Sequence, residues 1–166
     1  MIRKKKLYVR PKKLYEKKRI ENENFLLQKY ALKNKREVWK SLAKVNYFRS
    51  RAKSLARSSL DEQKNLFLKL NNIGIPANSI AEVLALKLED ILERRLPTIV
   101  FKKGMSSTVK QARQLVVHKK ILINGRVVNV PSYLVLVSEE SSLALNQPMK
   151  QNINKVSDKP EEKNNG

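Results

Sequence analysis

The chain has 166 residues, of which 36 are lysine or arginine and 15 aspartate or glutamate, a formal net charge of +21. Self-repulsion on that scale is most readily offset by a polyanion, which makes nucleic acid the leading partner. With no cysteine there is no disulfide framework, no thiol nucleophile and no cysteine-ligated zinc or iron–sulfur site. The apolar run at 134–137 is far too short for a bilayer core of ~30 Å.

The charge is segregated along the chain. Residues 1–60 hold 20 basic side chains against 4 acidic ones, 61–101 hold 5 against 6, and 102–137 hold 7 against none. Within residues 1–19 the lysines and arginines are spaced by Tyr8, Pro11 and Tyr15. That composition is too polar for a core and predicts an extension that stays disordered until it meets RNA. Arg10, Lys12 and Lys13 also fall where a signal peptide needs its apolar segment, so no secretion signal is expected.

A helical pattern runs over 20–32, and over 36–56 Val38, Leu42, Val45, Ala52 and Leu55 recur at intervals that predict an amphipathic helix. Its other faces carry Lys40, Lys44, Arg49, Arg51, Lys53 and Arg57 with almost no acid to offset them, which favours phosphate contact over a merely solvated surface. Phe25, Tyr30, Trp39, Tyr47 and Phe48 fall at helical spacing and read as core in preference to base-stacking platforms.

Ser59 with Glu62 predicts a capping box ahead of Leu66, Leu70 and Ile73, and Gly74 stands where that helix would end. A second box, Ser79 with Glu82, precedes Val83, Leu84, Leu88, Ile91 and Leu92, with Pro97 as terminator of one or two helical pieces. A third, Thr108 with Gln111, opens a helix whose apolar face is Ala112, Leu115 and Val116 and which ends near His118. Its N-terminus at Ser106, Ser107 and Thr108 offers free backbone N–H groups and a positive dipole end to a phosphate oxygen. His118, beside Lys119 and Lys120, fits either a partner for the helix C-terminal dipole or a contact to RNA.

In residues 121–128 the period switches from helix to strand, and Asn124-Gly125 between β-branched residues signals a type I′ hairpin. Residues 133–137 are expected to continue the sheet beyond Pro131, and 143–145 to supply a last short strand, with Glu139 and Glu140 in a loop between them. From 147 onward Asn, Lys, Glu and Pro predict a disordered tail.

The single histidine has no cysteine partner, and no Gly-x-Ser-x-Gly, Gly-x-x-x-x-Gly-Lys or Gly-x-Gly-x-x-Gly segment occurs, so neither an enzyme nor a cofactor or metal site is expected. The candidate RNA-contacting set is instead basic and polar. Lys35, Arg36, Arg49 and Arg51 come from the first basic zone. The second supplies Arg94, Arg95, Lys102, Lys103, Lys110, Arg113, Lys119, Lys120 and Arg126, with Ser106, Ser107, Thr108, Gln111, Gln114, His118 and Asn124 among them.

Four stretches carry a family resemblance: Glu93-Arg94-Arg95-Leu96, Gln111-Ala112-Arg113-Gln114-Leu115, Ile123-Asn124-Gly125-Arg126-Val127-Val128 and Pro131-Ser132-Tyr133-Leu134-Val135. Together they resemble the ribosomal protein S-four RNA-binding domain. Lys29-Tyr30-Ala31-Leu32-Lys33-Asn34-Lys35-Arg36-Glu37-Val38-Trp39 is similar to the archaeal and eukaryotic form of that ribosomal protein, so the resemblance spans roughly residues 14–145.

The resemblance implies an α+β protein: a basic extension over 1–19, a helical subdomain over 20–90, a helix-helix-hairpin RNA-binding domain over 91–146, and a tail over 147–166. It implies a cytoplasmic protein of the small ribosomal subunit, a primary binder of small-subunit rRNA that helps nucleate assembly of the subunit body. It further implies contact with neighbouring ribosomal proteins, above all S-five, an influence on translational accuracy, and no stable homo-oligomer. The alternative is an RNA-modifying or tRNA-related protein with the same domain appended, which would need a catalytic pocket in 1–90 where the chain has lysine-rich helix. A membrane-surface role lacks any lipidation motif, since Ile2 is not glycine. One departure stands out: where the family commonly has His-Gly-His, this chain has His118-Lys119-Lys120, and a lysine at the glycine position predicts loss of a left-handed turn there.

Overall fold

A computed structural model describes residues 6–146; the tail expected from 147 onward lies outside the described residues, as do the first five residues of the basic extension. Five helices come first: α1 (Lys17–Lys29), α2 (Lys35–Leu55), α3 (Leu60–Ile73), α4 (Ile80–Ala85) and α5 (Leu88–Glu93). Then follow α6 (Leu96–Lys102), α7 (Val109–Val117), β1 (Ile121–Ile123), β2 (Arg126–Val127), α8 (Val137–Glu140) and β3 (Ala144–Leu145). The strands form an antiparallel sheet in the order β2-β1-β3. The architecture is α+β, with the sheet confined to the C-terminal part.

Helix α2 organises the first core. It buries Val38, Ser41, Val45, Ala52 and Leu55; Val45, Ala52 and Leu55 pack with Leu66 and Leu70 of α3, Val83 of α4 and Ile91 of α5, while Val38 packs nearby with Tyr30, Leu32 and Leu92 of α5. Leu42, expected on that face, is 43% exposed. One residue is a turn of ~100° around the helix, so the stripe runs through Ser41 and leaves Leu42 at its edge. Among the aromatics, Tyr30 is core with Trp39 packed against its cluster, and Phe48 packs against the cluster around Val45, while Phe25 and Tyr47 are exposed, contrary to expectation. A second core joins Leu96 and Val100 of α6, Ala112 and Val116 of α7, Ile121 of β1, and Val135.

Of the three expected capping boxes, two form. Ser79 accepts from the Glu82 N–H at 3.3 Å and Thr108 from the Gln111 N–H at 3.2 Å. The return bond reaches one residue further back than expected, to Asn78 N at 2.7 Å and Ser107 N at 2.9 Å. The Ser59 side chain makes no cap bond. Pro97 does not terminate a helix; it sits in the first turn of α6, where its missing N–H has no intrahelical partner to lose.

Helices α1, α3, α6 and α7 all end by passing through a left-handed residue: Ala31 (φ 48°), Gly74 (φ 83°), Gly104 (φ 70°) and Lys119 (φ 59°). After α7 the Lys119 N–H bonds Val116 O at 3.1 Å and the Lys120 N–H bonds Leu115 O at 2.9 Å, which is a Schellman closure. The left-handed turn at Lys119 therefore survives the loss of glycine. The two hydrogen bonds, and the delivery of fully buried Ile121 into the core, outweigh a Cβ penalty of about 1 kcal/mol.

The hairpin forms as expected, with Asn124 at φ 50°, Gly125 at φ 75° and Ile123 opposite Arg126. Residues 133–137 do not extend the sheet. They pair with the α5–α6 junction instead, through Leu96 N to Tyr133 O at 2.9 Å and Val135 N to Arg94 O at 3.0 Å. Glu139 and Glu140 lie in α8, not in a loop.

Candidate nucleic-acid interface

The two cores meet along a seam held by arginine. Glu37 on α2 accepts from Arg95 Nη2 at 2.7 Å, and from Arg113 at 2.7 and 3.0 Å in a bidentate pair. Arg113 also donates to Ala31 O at 3.2 Å, the carbonyl of the left-handed residue that closes α1. Burial works to raise the Glu37 pKa, but the hydrogen bonds from Arg113 and Arg95 and their charges outweigh it and hold the carboxyl down at about 2. Arg95 is buried and also donates from Nε to Pro131 O at 3.3 Å. Arg94 donates to Val135 O at 2.9 Å and pairs with Glu140, its guanidinium lying against Gly74 so closely that a Cβ there would come within 2.6 Å of Arg94 Cζ.

Several candidate RNA contacts are thus engaged in bonds within the protein, some buried and some at its surface. Besides Arg94, Arg95 and Arg113, Arg49 donates to Leu86 O, Lys35 lies 3.6 Å from Glu23, and Lys102 lies 3.1 Å from Glu93. Buried Glu23 also accepts from Trp39 Nε1 at 2.9 Å and Arg19 at 2.7 Å. Burial tends to raise its pKa, yet these partners, Trp39 first, hold it below the usual range. Ser106 is buried and donates to Thr108 O, and Thr108, Gln111 and Ser107 satisfy one another at the start of α7.

The remaining candidates, together with exposed Ser107, face solvent, Lys120 only in part. Ser107, Lys110, Gln114 and His118 follow one another at helical spacing and form a stripe on the exposed side of α7, opposite Ala112, Leu115 and Val116. Lys119 and Lys120 continue it past the helix end, and exposed Asn124 and Arg126 continue it at the hairpin. Among the described residues none of these cations is in an ion pair. Lys103, at the end of α6, is likewise exposed and unpaired among the described residues.

Arg51 and Arg36 stand apart from that stripe. Arg51 lines a polar groove between α2 and α3 with Ser54, Ser58 and Lys69. Arg36 lies at the start of α2 beside a groove of about 420 Å³, lined also by Lys6, Tyr8, Arg10, Lys35 and Trp39. Tyr8 packs on Trp39 with ring centroids 5.9 Å apart. Lys6, Tyr8 and Arg10 were not candidates on sequence; the interleaving of an aromatic with two cations in the extension was the available signal. Lys40 and Lys44, which the sequence places among the α2 cations that favour phosphate contact, share the Glu37 face of α2.

Residues 94–141 match the family model described as the S4 domain. Three relatives cover most of the chain, each named small ribosomal subunit protein uS4. That of Methanocella arvoryzae is 42% identical over 153 residues, covering 84% of this chain and 75% of the relative. The Methanococcus aeolicus protein is 44% identical over 140 residues, 79% of each chain. The Picrophilus torridus protein is 40% identical over 151 residues, 86% of this chain and 82% of the relative.

Proposed function

Because the chain belongs to the uS4 family of small ribosomal subunit proteins, we propose that it grips folded small-subunit rRNA as a structural constituent of that subunit and catalyses nothing. The observation that carries the reading is the run of cations along α7 and the hairpin that are unpaired among the described residues, in a stretch, 102–137, without a single acid. Such a surface attracts phosphate without choosing sequence. Selectivity then comes from shape: a helix stripe and a hairpin held rigidly against a second basic element, α2, fit one arrangement of RNA helices and not another.

Within that reading the contacts are Lys103, Ser107, Lys110, Gln114, His118, Lys119, Lys120, Asn124 and Arg126, with Arg36 and Arg51 from α2. Lys35, Arg49, Arg94, Arg95, Lys102, Ser106, Thr108, Gln111 and Arg113 shape and support the surface. The proposal extends to cytoplasmic assembly of the subunit body, nucleated by this early rRNA contact, and to a partnership with ribosomal protein S-five in setting translational accuracy. The test is affinity for the folded 5′ domain of small-subunit rRNA against a length-matched scrambled RNA, over roughly 50 to 300 mM salt. A preference for the folded RNA that survives at high salt is expected; equal affinities that fall together would reduce the protein to a general polyanion binder.

A further inference from the structure

A cavity of about 550 Å³ opens on the seam between α2 and the C-terminal part. Glu37, Lys40 and Lys44 line it from one face of α2, at the three- and four-residue spacing that places them in a row. Arg95, Arg113 and Pro131 line it from the other side. Four cations thus converge on a single acid.

That acid is already saturated, since Glu37 Oε2 accepts from Arg95 and Arg113 and Oε1 from Arg113 and the Lys33 N–H. Arg95 has its Nε and Nη2 committed to Pro131 O and Glu37, yet its Nη1 is buried without a hydrogen-bond partner. Arg19, Arg49 and Arg94 each have a buried Nε without a partner as well, but among the buried unmet groups of the described residues Arg95 alone belongs to the lining of this cavity, where a ligand could complete it. Lys44 is exposed as a residue, but burial around its ammonium, and then the Arg95 charge, hold it below the ordinary lysine range. Cation thus crowds cation on the cavity wall, where one anion would relieve both.

We propose that the seam cavity is a phosphate site, in which a backbone phosphate of the bound rRNA sits between Arg95 Nη1 and Lys44, with Lys40 beside them. A tetrahedral anion suits this set, because one oxygen can take the guanidinium N–H while others face ammonium groups acting as point charges. Since α2 and the 94–141 region each contribute a cation, the phosphate fastens the two cores together at the moment RNA is bound. The site rests on the rRNA-binding reading above and adds to it a contact off the α7 stripe.

The test uses the full chain and the folded rRNA domain, with inorganic phosphate as the free-anion probe. The Lys44 pKa is followed by NMR at its ε-carbon, and the salt dependence of rRNA affinity is compared for wild type, Lys44→Gln and Lys64→Gln. Lys64 pairs with Asp61 on exposed α3 and serves as the control. Lys44 is a surface side chain, so its replacement leaves the fold intact. Bound rRNA is expected to raise the Lys44 pKa. Lys44→Gln should lose about one unit of salt slope and several-fold in affinity, while Lys64→Gln stays at wild type. An unmoved Lys44 pKa in a wild-type complex of full affinity, with an unchanged slope for Lys44→Gln, overturns the site and leaves the rRNA-binding reading standing. Saturation by inorganic phosphate that rRNA does not displace would assign the site to a free anion and overturn the RNA source. Failure of the wild type to prefer folded rRNA removes the functional reading itself.

Discussion

The seam and the α7 stripe are built from the same residue types and do opposite work. At the seam, Arg94, Arg95 and Arg113 are turned inward onto Glu140, Glu37 and backbone carbonyls, and their charge holds two cores in register. On the stripe, Lys110, Lys119 and Arg126 face water, and their charge is left for a partner. The difference lies in the side chains as much as in the neighbours. A planar guanidinium can meet a carboxylate and a carbonyl at once and tolerate burial, whereas a lysine ammonium is strongly hydrated and keeps to the surface. Overall charge therefore overstates the RNA-binding surface of this chain, because part of it is structural.

The largest expected effect comes from removing the acid of the seam. Glu37→Gln leaves Arg95 buried with one carboxylate fewer and ends the bidentate pair to Arg113, so it should destabilise the free protein by about 3 kcal/mol, read by urea denaturation. A loss under about 1 kcal/mol would show the seam to be ornamental and the comparison false. The same group sets an acid limit. Its folded pKa, about 2, lies below the unfolded value near 4.5, so its stabilisation is complete above about pH 5 and disappears as pH falls towards 2. That contribution is up to about 3 kcal/mol. Wild type should thus lose stability across this window, and Glu37→Gln should lose distinctly less.

Next in size is Gly74→Ala. The substitution puts a Cβ on a residue at φ 83° and against the Arg94 guanidinium, so both helix closure and the Arg94–Val135 contact suffer, about 2 kcal/mol together. Gly104→Ala, at φ 70° with no atom near the added Cβ, isolates the conformational part, about 1 kcal/mol. Equal losses for the two variants would mean that Arg94 moves aside freely.

The stripe should answer in the other currency. Lys110→Gln is expected to leave urea stability within about 0.5 kcal/mol of wild type while lowering the salt slope of rRNA binding by about one. A stability loss comparable to that of Gly74→Ala would erase the distinction between the two regions.

Much of this division was legible in the sequence, but not all. The helix starts at Ser79 and Thr108, the Gly74 stop and the Asn124-Gly125 turn depend on neighbours a few residues apart, and local chemistry decides them. The basic zone from 102 to 137 was equally plain. What could not be read was pairing at long range. Glu37 lies 58 residues from Arg95 and 76 from Arg113, so nothing local marks those arginines as internal. Residues 133–137 failed for the same reason: their alternation fits a strand, but the open backbone edge they meet is the α5–α6 junction, not the hairpin. Leu42 and Ser41 exchanged places because the periodic pattern admits either register of α2, and packing against α3 to α5 chose one.

Lys119 belongs to both regions at once, and the smallest effect expected is the one that separates its two roles. It occupies the left-handed position that closes α7, where glycine would be free of the Cβ clash, and it carries a charge at the end of the solvent-facing stripe. Lys119→Gly removes the strain but loosens the unfolded chain, so the net gain in stability is expected to be about 0.5 to 1 kcal/mol. The same change deletes one cation, so the salt slope for rRNA should fall by about one and affinity should weaken although the protein is more stable. Lys119→Ala supplies the contrast: it loses the charge and keeps the strain, so affinity falls equally with no gain in stability. If both variants bind rRNA as wild type does, the lysine is no phosphate contact; if Lys119→Gly gains no stability over Lys119→Ala, the left-handed turn carries no strain for glycine to relieve.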